Sequence, residues 1–136
     1  MGIRTALPGN KEEALSCLYM QAIVGNDVSY KNVIDDFISL YPDSYEGYMA
    51  RAEYEALVLR DFDVAEQSWR KALALAKNPA EVHYSKAKAI NTIVLQGDTV
   101  SHPSLSFENA LREIDMAIAA DSQSLFLNGK AEILCS

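Results

Sequence analysis

The chain has 136 residues, of which 49% are apolar, so it is long enough and apolar enough to bury the core of one domain. Its formal net charge of −7 argues against nucleic acid or an anionic membrane surface as partner, because both require clustered Lys and Arg. No segment approaches the ~20 consecutive apolar residues that a membrane-spanning helix needs.

Helical periodicity predicts seven helices, and no segment alternates polar and apolar residues as a strand would. Three polar residues stand where N-caps are expected: Asn10, Ser44, and Ser106, which forms an imperfect capping box with Asn109. In chain order the predicted helices span 11–24, 29–40, 45–59, 63–76, 80–95, 107–120 and 124–136. The sequence therefore predicts an all-α protein.

A small-large-small spacing recurs on the second helix of successive helix pairs. Its copies are Ala65-x3-Trp69-x2-Ala72 and Ala110-x3-Ile114-x2-Ala117, with a degenerate version at Tyr30-x3-Ile34-x2-Phe37. An aromatic residue lies three places before each of the two clear copies, at Phe62 and Phe107. The alanines let a second helix approach closely, and the large side chain between them fills the contact. This pattern predicts stacked pairs of helices.

The distances between these copies fit one repeating unit. Tyr30 and Ala65 are 35 residues apart, and Ala65 and Ala110 are 45 residues apart. A helix-turn-helix unit of about 34 residues is the tetratricopeptide period. The second interval exceeds that period by about the length of the predicted loop 96–106, which indicates an insertion within one unit.

The chain therefore resembles the tetratricopeptide repeat family. Tyr48 takes the place of the family's first-helix aromatic residue, and Ala52 that of its small residue. Ala65, Trp69 and Ala72 take the small-large-small places of the second helix. The resemblance implies antiparallel helix-turn-helix repeats stacked as a right-handed superhelix of about seven helices. The expected parts are a tail over 1–10 and one domain over 11–136, with units at about 11–44, 45–79 and 80–123 and a terminal helix over 124–136.

In the family, the first helix of each unit lines a concave groove. Mapped onto this chain, the groove candidates are Glu12, Leu15, Ser16, Tyr19, Glu46, Met49, Ala50, Glu53, Glu81, Tyr84, Ser85 and Lys88. The residues expected to hold the partner are Tyr19, Met49, Glu53, Tyr84 and Lys88. Since this surface mixes apolar and acidic groups, it suits a protein or peptide segment that carries apolar and basic residues.

The chain offers little that indicates catalysis. His83 lies on an apolar helical face and is interpreted as a packed core histidine, and His102 lies in the predicted loop, four residues from Asp98. No group of His and carboxylates has metal-ligand spacing, and no Gly-rich phosphate loop is present. We therefore expect no enzymatic activity, no metal and no cofactor.

The sequence thus predicts a protein-binding scaffold, with two alternatives. One is a dedicated chaperone for an exported or toxic client, and the other is a subunit that self-associates as a homodimer through the C-terminal helix. Cys17 and Cys135 form no disulfide framework, and no signal peptide is evident. A cytoplasmic location is expected, or a periplasmic or secreted one if an export signal preceded Met1.

Overall fold

The computed structural model describes residues 10–24, 27–96, 106–120, 130–131 and 133–134, and no strand occurs among them. The helices are α1 (Lys11–Val24), α2 (Asp27–Leu40), α3 (Tyr45–Leu57), α4 (Phe62–Leu75), α5 (Ala80–Leu95) and α6 (Phe107–Ala120). The all-helical prediction is confirmed for this part of the chain. Residues 1–9, 97–105 and most of the predicted seventh helix lie outside it, although 130–131 and 133–134 are helical.

Two of the three predicted N-caps form as expected. The Asn10 side-chain oxygen accepts the backbone N–H of Glu13 at 2.8 Å, and the Ser106 hydroxyl accepts that of Asn109 at 3.2 Å. The prediction for Ser44 is wrong in its mechanism, because its side chain caps no backbone group. Its hydroxyl donates instead to the Glu46 carboxylate.

The α3 helix ends at Leu57, two residues before its predicted end. The backbone N–H groups of Val58 and Leu59 both donate to the carbonyl of Tyr54, at 2.9 and 3.2 Å. Arg60 then adopts a positive φ of 59°, the left-handed conformation that commonly terminates helices. The chain reverses here, and the α4 helix begins after Asp61, whose carboxylate accepts the backbone N–H of Val64.

Connections of four residues join α2 to α3, α3 to α4 and α4 to α5, at 41–44, 58–61 and 76–79. α1 packs on α2, α3 on α4, and α5 on α6, while α3 also contacts α2 and α5. The α2–α3 contact is close at Gly47, where an added Cβ would lie 2.8 Å from Ile38 Cγ1 and 3.0 Å from Phe37 Cδ1. A side chain at this position would push the two helices apart.

The α3 helix separates two hydrophobic cores. Met49, Ala52 and Ala56 face the larger core, which is otherwise built from α4, α5, α6 and Ile133 of the C-terminal segment. Ala50 and Tyr54 face the smaller core, which α1 and α2 complete. Within each of these two sets, the residues are three or four places apart along α3, and residues so spaced share a helical face. The two sets therefore lie on different faces of α3.

Both copies of the small-large-small spacing are packing devices. Trp69 is 1% exposed and Ile114 is fully buried, and the alanines on either side of each are fully buried as well. The aromatic residues that precede the copies differ, however. Phe62 is buried with its ring centroid 5.7 Å from that of Trp69, whereas Phe107 is 39% exposed. Only the first copy therefore adds its aromatic residue to the core.

The described part of the C-terminal segment packs against the protein's own core. Ile133 is buried in the larger core, and Lys130 forms an ion pair with Asp115 on α6 at 2.8 Å. Leu134 points outward and is largely exposed. These contacts place at least one apolar residue of the predicted seventh helix inside the domain.

Candidate partner-binding cavity

Three helices that are not consecutive in the chain line a half-open cavity of about 560 Å³. Its lining residues come from α1, α3 and α5, and they are Tyr19, Met49, Glu53, Leu57, Glu81, Tyr84, Ser85, Lys88, Ala89 and Thr92. The spacing explains their convergence, because residues three or four places apart on a helix share one face. All five residues expected to hold a partner line this one cavity, while their role in binding stays a prediction.

The other groove candidates divide into two groups. Glu81 and Ser85 line the cavity, whereas Glu12, Leu15, Ser16, Glu46 and Ala50 do not. Ala50 was wrongly assigned, because it faces the smaller core on the other side of α3 and is only 5% exposed.

Three lining residues were missed from the sequence. Each of them follows a predicted residue that lines the cavity by one helical turn: Leu57 after Glu53, Ala89 after Ser85, and Thr92 after Lys88. Extending the helical period by four residues would have found all three.

A chain of two hydrogen bonds connects the cavity to the core. The indole Nε1 of Trp69 donates to the Ser85 hydroxyl at 3.2 Å, and that hydroxyl donates to Glu53 Oε2 at 2.5 Å. Trp69 and Ser85 are buried, at 1% and 6% exposure. These bonds join α4, α5 and α3, and they fix the position of the Glu53 carboxylate.

Glu53 is the most unusual charged group of the cavity. Burial raises the pKa of its carboxyl group, and the Ser85 hydrogen bond and the positive charge of Lys88 only partly oppose this. Among the described residues, no Lys or Arg forms an ion pair with Glu53. Lys88 places its ammonium group over the ring of Tyr84 instead, 5.3 Å from the centroid.

The cavity opens to solvent beside Tyr19, Glu81 and Lys88, which are exposed and which we call the mouth. The partial burial of the Tyr19 hydroxyl, together with the charges of Glu46, Glu81 and Glu53, raises the pKa of Tyr19 to about 12. The Tyr45 hydroxyl donates to Glu81 at 2.9 Å, which holds that carboxylate in place. The mouth is therefore surrounded by carboxylates.

A second group of charges lies away from the cavity, between α4, α5 and α6. His83 Nδ1 is 2.7 Å from Glu113 Oε1, and Lys86 lies 3.3 Å from Glu66 and 3.7 Å from Glu113. Burial alone would raise the pKa of Glu113, but the His83 hydrogen bond and the Lys86 charge lower it overall. His83 is thus a partly buried bridge between helices rather than a residue of the apolar core.

Within the described residues, no group of His, Cys, Asp and Glu side chains could hold a metal ion. No helix in this part of the chain combines the length and the apolar character needed to cross a bilayer. Comparisons of the chain with models of protein families, with curated proteins and with solved structures found no match. What the chain binds is therefore inferred from the shape and charge of the cavity.

Proposed function

We propose that this protein is a non-enzymatic scaffold that holds a segment of a partner protein in the cavity between α1, α3 and α5. The proposal includes a tetratricopeptide-like stacking of the helix pairs, in which the first helix of each pair faces the partner. The pairing of consecutive helices and the contact between α3 and α5 support this arrangement.

The observation that carries the proposal is the convergence of aromatic, apolar and acidic side chains in one cavity. Its volume of about 560 Å³ lies within the range of roughly 300–1,000 Å³ that is typical of small-molecule pockets, which is room for a few side chains of a bound segment. Tyr19 and Tyr84 supply large rigid surfaces, and Met49 supplies a side chain that adapts its shape. Tyr and Met are also enriched in protein–protein interfaces.

Selection of binding peptides from a random display library tests the proposal, with the purified chain as bait. A variant with Tyr19→Ala and Tyr84→Ala removes both aromatic walls and keeps good helix formers at both positions. We expect the selected peptides to bind this variant at least about tenfold more weakly, since interface aromatic residues often contribute 2 kcal/mol or more.

The matched control is Val64→Ala with Met116→Ala. These two apolar residues are 38% and 40% exposed, and they lie on α4 and α6, outside the cavity. Peptides that bind through the cavity should keep their affinity for the control. Equal affinity for the cavity variant and the wild type would place the binding surface elsewhere and contradict the proposal.

A further inference from the structure

We propose that the cavity recognises a cationic side chain, arginine or lysine, and that the Glu53 carboxylate is the group that binds it. This inference depends on the proposed function, from which it takes that the partner is a segment of a protein. The evidence for it is the charge, the position and the surroundings of Glu53.

The first argument is that Glu53 is a partly buried carboxylate that, among the described residues, has no cationic partner in direct contact. A buried charge is unfavourable unless it is paired and hydrogen-bonded. Among the described residues only the Ser85 hydroxyl donates to it, and that bond uses Oε2. Oε1 is left to accept a hydrogen bond from a guanidinium or ammonium group that enters the cavity.

The second argument is that the carboxylate is held in place before any ligand arrives. Ser85 is buried and is itself fixed by the indole of Trp69, so the carboxylate has little freedom to turn toward solvent. A group that is already oriented loses less conformational entropy when it binds, and this increases affinity.

The third argument concerns the walls and the mouth. Tyr84 already carries the Lys88 ammonium group over its ring, which shows that a cation can occupy this aromatic face. Tyr19 lines the same cavity from α1, and Glu81 adds a second carboxylate at the mouth. A cationic side chain entering here would meet aromatic surfaces along its stem and carboxylates at its head.

NMR titration with small probes tests the inference without a known partner. The probes are N-acetyl-arginine amide, N-acetyl-lysine amide and N-acetyl-citrulline amide, the last being a neutral analogue of the first. We expect the two cationic probes to shift the backbone amide signals of α3 and α5 around Glu53 and Ser85. Citrulline should bind at least about tenfold more weakly than arginine.

Three variants locate the effect. Glu53→Gln should reduce arginine binding to the level of citrulline. Glu55→Gln is the matched control, because Glu55 lies on the same helix and also accepts a serine hydroxyl at 2.5 Å, from Ser68, but does not line the cavity. Lys88→Met should tighten binding several-fold, since it removes a competing cation and adds no negative charge.

Citrulline binding as tight as that of arginine would overturn the inference, as would a wild-type protein that binds neither cationic probe. Equal loss of arginine binding in Glu53→Gln and Glu55→Gln would also overturn it. None of these results decides whether peptides bind through Tyr19 and Tyr84, so failure of cation recognition can be told apart from failure of the proposed function.

Discussion

Trp69 donates its indole N–H to the Ser85 hydroxyl, although its ring fills the core. The same side chain therefore serves two purposes. Its ring separates the buried alanines of the repeat spacing, and its one polar atom holds the serine that holds Glu53. The residue that best predicts the packing of the helices is thus also connected to the candidate binding site.

Ser85→Ala should reduce stability by roughly 1–3 kcal/mol, because it leaves both a buried indole N–H and a partly buried carboxylate without their partner. Urea denaturation measures the change. Ser68→Ala is the control, since it also removes a buried serine hydroxyl but breaks only one side-chain hydrogen bond, to Glu55. A loss no larger than that of the control would contradict the double role of Ser85.

Glu53→Gln should increase the free energy of unfolding at pH 7. Burial raises the pKa of Glu53 above its usual 4.5, so the folded chain binds this proton more tightly than the unfolded chain does. The wild type consequently loses stability as pH rises from 4.5 through the folded-state pKa. Glutamine removes this loss and can still accept the Ser85 hydrogen bond. Denaturation curves across this pH range measure the difference. A variant that is no more stable than the wild type at pH 7 would show that Glu53 is well solvated and would contradict the prediction.

Glu113→Gln should have the opposite pH dependence. His83 and Lys86 lower the pKa of Glu113, so its carboxylate contributes stability above pH 4.5 that is lost as pH falls through the folded-state pKa. The variant should be less stable at pH 7 and should approach the wild type in acid. Thermal unfolding at several pH values measures this, with Glu108→Gln, exposed on the same helix, as the control. Equal effects of the two substitutions would argue against the bridge.

Gly47→Ala should destabilise the protein by about 1–3 kcal/mol, the usual range when a packed core receives extra atoms. The added methyl group would lie 2.8 Å from Ile38 and 3.0 Å from Phe37. Helix propensity alone favours alanine over glycine by about 1 kcal/mol, so the two effects have opposite signs. A stabilised variant in chemical denaturation would show that α2 and α3 are not in close contact here.

Much of the fold could be predicted from the sequence, because the deciding signals are local. Helical periodicity and the caps at Asn10 and Ser106 placed the ends of the six described helices within two residues of their observed positions. Ser44 was misinterpreted because its hydroxyl is oriented to donate to the Glu46 carboxylate, and its oxygen accepts no backbone N–H of α3. The two-sided burial of α3 was also missed, since its alanines fit either face, and Ala50 was therefore placed in the groove.

The candidate site was predicted less completely. The family resemblance predicted Tyr19, Met49, Glu53, Tyr84 and Lys88 as groove residues, and all five line one cavity, because residues of one helical face stay together when the helices pack. The hydrogen bonds within the site could not be predicted in this way. They join residues of different helices, and no period along one helix indicates which polar atoms will meet.

The division of the apolar interior by α3 has a consequence for cooperativity. The cavity is lined from both sides of this division. Tyr19 lies on α1, which belongs to the smaller core, and the α5 residues belong to the helices of the larger core. Regions with separate cores often open independently of each other, as amide hydrogen exchange reports. A segment bound in the cavity would tie the two halves together. Its presence should slow exchange in α1 and α2, far beyond the residues it touches.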